Sequence, residues 1–161
     1  MPNVLFTLKT FDEARDRLYS SSDNFVNSLL GIGMQAIAEA VALGEKAGLD
    51  RNRLLEVLSQ TAVVAPAHVG KLERAMKSDY SPQFPLRLMN KDLTLILNLA
   101  AAVGAEMPAT RAAIEVNAAQ SAQGQEQDFS AVILQMEKQA HLDSRNNRGI
   151  GVGVASSEKR V

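Results

Sequence analysis

The chain has 161 residues, of which 46% are hydrophobic and 22% are charged, and its formal net charge is −1 at pH 7. This is the length and composition of one globular domain that can bury a core of its own. The near-neutral charge argues against nucleic acid or an anionic membrane surface as a partner. The absence of cysteine excludes disulfide and thiolate chemistry and fits a cytoplasmic location.

Residues 1–22 form a divergent N-terminal segment ahead of the regular pattern. The stretch "TFDEARDRL" is a candidate short helix that precedes a serine cluster, and "NVLFTL" is the one candidate strand of the chain. The start lacks the basic residues and the long apolar block of a signal peptide. No apolar run approaches the roughly 20 residues that a membrane span requires, so no membrane association is expected.

Residues 23–142 carry the main domain, in which apolar residues recur with helical spacing. The first long helix is predicted from Val26 to about Ala47. Further helices are predicted behind an Asp50 cap, from Pro66, from the loop 77–85 to Gly104, from Pro108 to near Gly124, and behind Asp128 or Ser130. The sequence therefore predicts an all-α bundle of about six helices with short connections. Residues 143–161, rich in glycine, serine and charge, are expected to form a flexible tail.

The stretch "GIGMQA", residues 31–36, matches the G-x-G-x-x-G/A pattern of dinucleotide-binding proteins, and Asp50 follows it. That motif requires a strand before the glycines, so that a tight turn delivers the phosphates to a helix N-terminus. Here the glycines lie within a helical pattern. Close packing of helices at small residues is therefore the preferred interpretation.

Other isolated residues have ordinary structural interpretations. Glu39, among alanines, is assigned to a solvated helix face rather than to catalysis. His68, two residues after Pro66, is expected at the surface in a first helical turn. Because His68 and His141 are far apart and cysteine is absent, no zinc site is predicted. The six methionines are expected to fill the core.

The apolar stretch 84–104, "FPLRLMNKDLTLILNLAAAVG", contains two adjacent opposite charges, Lys91 and Asp92. Neighbouring residues on a helix do not face each other, so an ion pair between them is not expected. Either Lys91 extends from the wet stripe of a core helix while Asp92 favours its first turns, or one of the two points into a site.

Three ordered stretches together resemble the β-hydroxyacid dehydrogenases, a family that includes 3-hydroxyisobutyrate dehydrogenase and tartronate semialdehyde reductase. They are "AEAVALGEKAGLDRNRLLEVLSQ", "FPLRLMNKDLTLILNLAAAVGAEMPATRAA" and "DFSAVILQME", within about residues 24–141. The resemblance implies a helical C-terminal domain of the 6-phosphogluconate dehydrogenase C-terminal-domain-like fold. In the family this domain follows a Rossmann domain that binds NAD or NADP, closes the substrate cleft and forms the oligomer interface.

The resemblance also implies which residues line the cleft. The family's long helix carries a catalytic lysine, which acts as general acid and base, with an asparagine four residues later. The asparagine aligns with Asn27, and the lysine position is occupied by Asp23. Lys91, Asp92 and Phe84 align with residues of the cofactor side of the cleft.

Two departures from the family shape the functional expectation. A carboxylate at position 23, with an ordinary pKa near 4, would be ionised and could not donate the proton that carbonyl reduction requires. The twenty-odd residues before the matching region are fewer than the roughly 30 of a single βαβ unit. We therefore expect the substrate-side and oligomerisation domain of an NAD(P)-dependent oxidoreductase. It should be inactive by itself, hold no cofactor tightly, and form a homodimer through its long helices.

Two alternatives remain. In the first, the chain is a half-enzyme that acts with a separate Rossmann-domain partner on a small β-hydroxyacid or semialdehyde. In the second, it is a stand-alone helical domain that binds a small carboxylate through Lys91.

Overall fold

The computed structural model describes the backbone of residues 4–124 and 126–142, and the side chains of residues 25–124 and 126–142. Within these ranges the chain forms six α-helices and a short 3-10 helix, and no strand. The helices are α1 (Val4–Lys46), α2 (Arg51–Ser59), α3 (Pro66–Ala75), α4 (Leu86–Val103), α5 (Pro108–Gly124) and α6 (Val132–Gln139), with the 3-10 helix at Phe129–Ala131. The predicted all-α class is thereby confirmed for this part of the chain.

Local sequence signals set several of the helix ends. The Asp50 carboxylate caps α2 by accepting a hydrogen bond of 2.8 Å from the backbone N–H of Arg53, as predicted. Gly104 ends α4 in the left-handed conformation, with φ of +74°, which a residue with a Cβ adopts at a cost. Asp128 caps the 3-10 helix that leads into α6 by accepting from Ser130 N.

The N-terminal segment differs from the prediction. α1 runs without interruption from Val4 through the serine cluster to Lys46, so the stretch predicted as a candidate strand is helical from Val4 onward. No helix end marks the boundary at residue 22, and the division into three segments stays a prediction. The predicted tail, 143–161, lies outside the described residues.

The core is built around α1, which contacts each of α2 to α6. Apolar residues from all these helices except α5 meet there as its fully buried large side chains: Met34, Val41, Leu55, Leu72, Leu86, Met89, Leu93, Val132 and Ile133. Two of the six methionines thus fill the core, as predicted. Burial of this apolar surface is the main force that holds the bundle together.

The segment Phe25–Lys46 of α1 is long and apolar enough to cross a membrane by length and composition, with a mean hydropathy of 1.4. The prediction that no stretch reaches this length is therefore wrong. The core helix of a globular bundle has the same composition, and α1 is packed against five other helices.

The two glycines of "GIGMQA" lie in the middle of α1, not in a turn. A methyl group on Gly33 would lie 2.7 Å from Cε1 of His68, and one on Gly31 would lie 2.9 Å from Sδ of Met89. Both glycines therefore allow side chains of other helices to approach the α1 backbone. The close-packing interpretation is confirmed, and this stretch forms no phosphate-binding turn.

Candidate functional site

Three predicted site residues, Asn27, Lys91 and Asp92, form one cluster between α1 and α4. The Asn27 amide donates a hydrogen bond from Nδ2 to Oδ2 of Asp92 at 2.8 Å. The Lys91 ammonium lies 3.0 Å from the other carboxylate oxygen, Oδ1. The side chain of Asp92 is only 7% exposed, whereas that of Lys91 is 60% exposed. We call these three residues the Asn27–Asp92–Lys91 cluster.

The cluster forms where α1 packs against α4. One turn after Asn27, Gly31 lies against Met89, which is almost one turn before Asp92, and against Leu93. The small residue lets the two helices approach closely. A buried carboxylate on α4 then faces an amide on α1 that can satisfy it.

Lys91 and Asp92 do form an ion pair, so the prediction from their adjacency is wrong. Adjacent residues on a helix do not face each other only in the sense that their Cα–Cβ bonds point in different directions. The four-carbon stem of lysine is long enough for the ammonium to return to the carboxylate of the next residue. Lys91 extends from the exposed face, as the first interpretation predicted, while Asp92 points into the interface of α1 and α4. That one of the two residues points into a site stays a prediction.

The structure places Phe84, another predicted site residue, outside this cluster. Phe84 precedes α4 and packs edge-to-face against Phe129, with ring centroids 5.9 Å apart, next to the core. Asp23 lies on the α1 backbone one turn before Asn27, but its side chain is outside the described residues. Their assignments to the cleft and to the altered catalytic position stay predictions.

A buried ion pair fixes the segment that leads into α4. Lys71 donates to Oδ2 of Asp128 at 2.6 Å, and the backbone N–H groups of Gln83 and Phe84 donate to the same oxygen at 3.0 Å each. The Asp128 side chain is 2% exposed. Burial alone would raise the pKa of Asp128, but these hydrogen bonds and those from Ser130 outweigh it and hold the pKa below its usual range. Sequence reasoning identified Asp128 only as a cap, because its partners lie far away along the chain.

A second charged group, which sequence reasoning missed, joins the C-terminal ends of α1, α3 and α6. Arg51 donates from Nε to Glu137 at 2.6 Å, from one terminal nitrogen to the backbone oxygen of Ala75 at 2.9 Å, and from the other to the Tyr80 hydroxyl at 2.8 Å. Glu45 lies 3.6 Å from the same Nε. Burial, with repulsion from Glu137, raises the pKa of Glu45 to about 7.

His68 is buried, with 3% of its surface exposed, so its predicted place at the surface is wrong. Its Nε2 lies 2.9 Å from the backbone oxygen of Leu30 and must donate to that carbonyl, since the oxygen only accepts. Glu39 is exposed, as predicted, and accepts a hydrogen bond from Gln35. Among the described residues, no group of three or more His, Cys, Asp or Glu side chains could hold a metal ion.

A surface depression of about 530 Å³ lies apart from the cluster, beside the loop before α4 and the end of α5. None of the predicted site residues lines it; its lining residues are Ser78, Asp79, Tyr80, Ser81, Pro82, Gly124, Glu126 and Gln127. Arg74 reaches this loop, pairing with Asp79 at 2.9 Å and donating to the backbone oxygen of Ser81. The cluster, not the depression, is therefore the candidate site.

The two groups of the cluster that reach the surface offer contacts for part of the cofactor that the family resemblance implies. Lys91 offers an exposed cation for a phosphate or carboxylate, and Asn27 offers an amide that can hydrogen-bond a carboxamide or hydroxyl. The remainder of a dinucleotide needs a glycine-rich turn at a helix N-terminus. In the described part of the chain, the one matching stretch lies inside α1.

The fold and the cluster define a helical domain that presents a lysine–aspartate–asparagine group on two packed helices. Residues 25–136 match the family model described as "NAD-binding of NADP-dependent 3-hydroxyisobutyrate dehydrogenase". The match covers more than half of the chain and contains the whole cluster. The chain belongs to this family of NAD(P)-dependent hydroxyacid dehydrogenases.

Individual relatives agree with this assignment. The chain is 41% identical over 109 residues to glyoxylate/succinic semialdehyde reductase 2, chloroplastic, of Arabidopsis thaliana, covering 67% of this chain and 30% of that protein. Its fold is similar to the structure of 3-hydroxyisobutyrate dehydrogenase from Salmonella typhimurium, with a TM-score of 0.66 and 27% identity over 71% of this chain and 41% of the other.

A second solved structure, 3-hydroxyisobutyrate dehydrogenase of Mycobacterium tuberculosis with L-serine, gives a TM-score of 0.57 at 31% identity, over 71% of this chain and 42% of the other. The chain thus spans between 30% and 42% of the length of these three relatives.

Proposed function

We propose that the chain is the helical substrate-side and oligomer-forming domain of a β-hydroxyacid dehydrogenase-type oxidoreductase, C-terminal to a Rossmann domain in whole proteins of the family. The proposal rests on one observation: the Asn27–Asp92–Lys91 cluster is assembled across α1 and α4 within the region that matches the family. The cofactor, NAD or NADP, would supply or accept the hydride.

The residues of this chain would bind and orient rather than transfer protons. Lys91 would hold an anionic group of the cofactor or substrate, and Asn27 would hydrogen-bond a neighbouring polar group. Position 23, where the family resemblance implies a lysine, carries a carboxylate. An ionised carboxylate has no proton to give to a developing alkoxide. By itself the chain should therefore not catalyse hydride transfer. Because the glycine stretch that matches a phosphate-binding turn lies inside α1, the chain should not bind the cofactor tightly either.

The test is a fluorescence titration of NADPH, and separately of NADH, against the purified chain, followed by an assay of hydride transfer. Glyoxylate, succinic semialdehyde and 3-hydroxyisobutyrate are the substrates to try, because the names of the relatives mention them. We expect no saturable binding in the micromolar range and no turnover. The full-length Arabidopsis reductase, tested in parallel, should bind and turn over. Turnover by the chain alone would refute the proposal.

Retention of the cluster favours a second candidate, a half-enzyme that works with a separate Rossmann-domain partner. Saturable binding of NADPH in the micromolar range without turnover would support it, because the described residues would then hold the cofactor while chemistry requires the partner. In either case we propose a homodimer through the long helices. We also propose a cytoplasmic location, for which the only support is the amino-acid composition.

A further inference from the structure

Asp92 is buried, and both of its oxygens are already engaged within the protein. Oδ2 accepts from Asn27, and Oδ1 faces the Lys91 ammonium. A carboxylate in this arrangement is poorly placed to contact a ligand itself. Its two partners are the groups that reach the surface: Lys91 is largely exposed and Asn27 is half-buried.

The carboxylate also determines which way the Asn27 amide points. An ionised carboxylate can only accept hydrogen bonds, so Asn27 must turn its NH₂ group toward Asp92. The carbonyl oxygen, Oδ1, then points away from Asp92. The amide thus presents an acceptor, and Lys91 beside it presents a charged donor.

We infer that Asp92 is a positioning residue that fixes the Asn27 amide with its carbonyl oxygen available to a ligand and keeps the Lys91 ammonium next to it. In this role Asp92 does not contact the cofactor itself; it acts by holding Asn27 and Lys91 in place. The ligand group at Asn27 must then be a hydrogen-bond donor, such as a hydroxyl or a carboxamide NH₂. The ligand-binding part of the inference rests on the proposed function.

Exchanging the residues at positions 27 and 92 distinguishes this positioning role from a purely structural role. In the double variant N27D/D92N, the hydrogen bond between positions 27 and 92 can still form, with donor and acceptor exchanged, and the net charge is unchanged. The stability of the chain should therefore stay near that of the wild type. At position 27, however, the neutral acceptor becomes an anion, and Lys91 loses its charged partner.

The readout is the side-chain amide region of ¹⁵N-edited NMR spectra, with the Asn27 signals assigned by their absence in N27A. In the wild type, one Asn27 amide proton should be shifted downfield and protected from exchange by the charged acceptor. D92N should remove this signature. NADPH, added to millimolar concentration, should shift the Asn27 signals in the wild type. The double variant has no amide at position 27, so its response is followed at the backbone signal of Lys91, which should show no saturable shift.

Each outcome decides the inference. If the wild type lacks the downfield, protected amide proton, or if D92N retains it, Asp92 does not position Asn27. If the double variant responds to NADPH like the wild type, only the presence of the hydrogen bond matters and the role is structural. A wild-type chain that shows the amide signature but no response to millimolar NADPH supports the positioning and counts against the ligand contacts proposed for Asn27 and Lys91.

Discussion

At the scale of single residues, Glu45 has an unusual environment, because it shares Arg51 with Glu137. Its side chain is only 10% exposed, and burial raises its pKa from 4.5 to about 7. The folded chain therefore binds more protons than the unfolded chain between about pH 4.5 and pH 7. In this interval the contribution of Glu45 makes the free energy of unfolding fall as the pH rises.

Replacing Glu45 by Gln should remove this fall. Since one pKa unit corresponds to about 1.4 kcal/mol, the variant should gain stability of the order of 1–3 kcal/mol at pH 8 and little at pH 4.5. Urea denaturation at a series of pH values measures the difference. Glu56→Gln is the matched control, because Glu56 forms an exposed pair with Arg53 and should change stability by less than about 1 kcal/mol at any pH. An unchanged pH profile in E45Q would rule out this assignment.

The residue scale also shows where sequence reasoning fails. The placement of His68 at the surface rested on its position in the first turn of α3, which does not determine which face of the helix is buried. The imidazole fits in the interior because Gly33, on another helix, has no side chain. The ion pair of Lys71 with Asp128 likewise joins residues 57 positions apart and has no local signal.

At the scale of elements, glycines within helices are of two kinds. At some of them an added methyl group would collide with a side chain of a neighbouring helix, and at others it would meet nothing. At Gly33 a methyl group would meet His68, whereas at Gly70, in the exposed face of α3, it would meet nothing within 4 Å. Gly33→Ala should therefore destabilise the chain by about 1–3 kcal/mol through displacement of the imidazole. Gly70→Ala should stabilise it by about 0.5–1 kcal/mol through helix propensity.

Chemical denaturation of both variants under one set of conditions makes this comparison direct. The two variants carry the same substitution but differ in the packing around it. Equal changes in the free energy of unfolding would show that the contact between α1 and α3 at Gly33 is loose. The backbone N–H and side-chain signals of His68 should shift in G33A and stay in place in G70A. This pattern would place the perturbation at the predicted contact.

Helix ends after residue 46 could be predicted because their signals are local. The Asp50 cap and the left-handed Gly104 act within a few residues of themselves. The continuity of α1 through residues 20–22 could not be predicted, because serine has only a weak preference against helix and its neighbours outweigh it. The cluster was predicted only through the family resemblance. Its geometry depends on the register of α1 against α4, which no local pattern contains.

At the scale of the whole molecule, large apolar side chains remain exposed along the two longest described helices. On α4, the exposed side chains Leu95 and Leu99 follow Lys91 at intervals of four residues, and Leu95 lies on the side of the helix that carries Lys91; on α1, Leu29 is 71% exposed. Large apolar side chains that stay exposed in a folded domain are typical of surfaces that bind other protein chains. They support the proposed homodimer and connect the predicted interface with the face of α4 that carries Lys91.

We predict that the chain self-associates at micromolar concentration and that Leu29→Glu and Leu95→Glu each weaken the association at least tenfold, because a dimer would have to bury the new charge. Light scattering coupled to size-exclusion chromatography, over a dilution series, measures the change. Val63→Glu is the control: Val63 is 90% exposed but lies between α2 and α3, so the variant should associate like the wild type. All three variants replace exposed residues and should stay folded. A wild-type chain that is strictly monomeric would exclude the dimer, and equal weakening by all three would place the interface elsewhere.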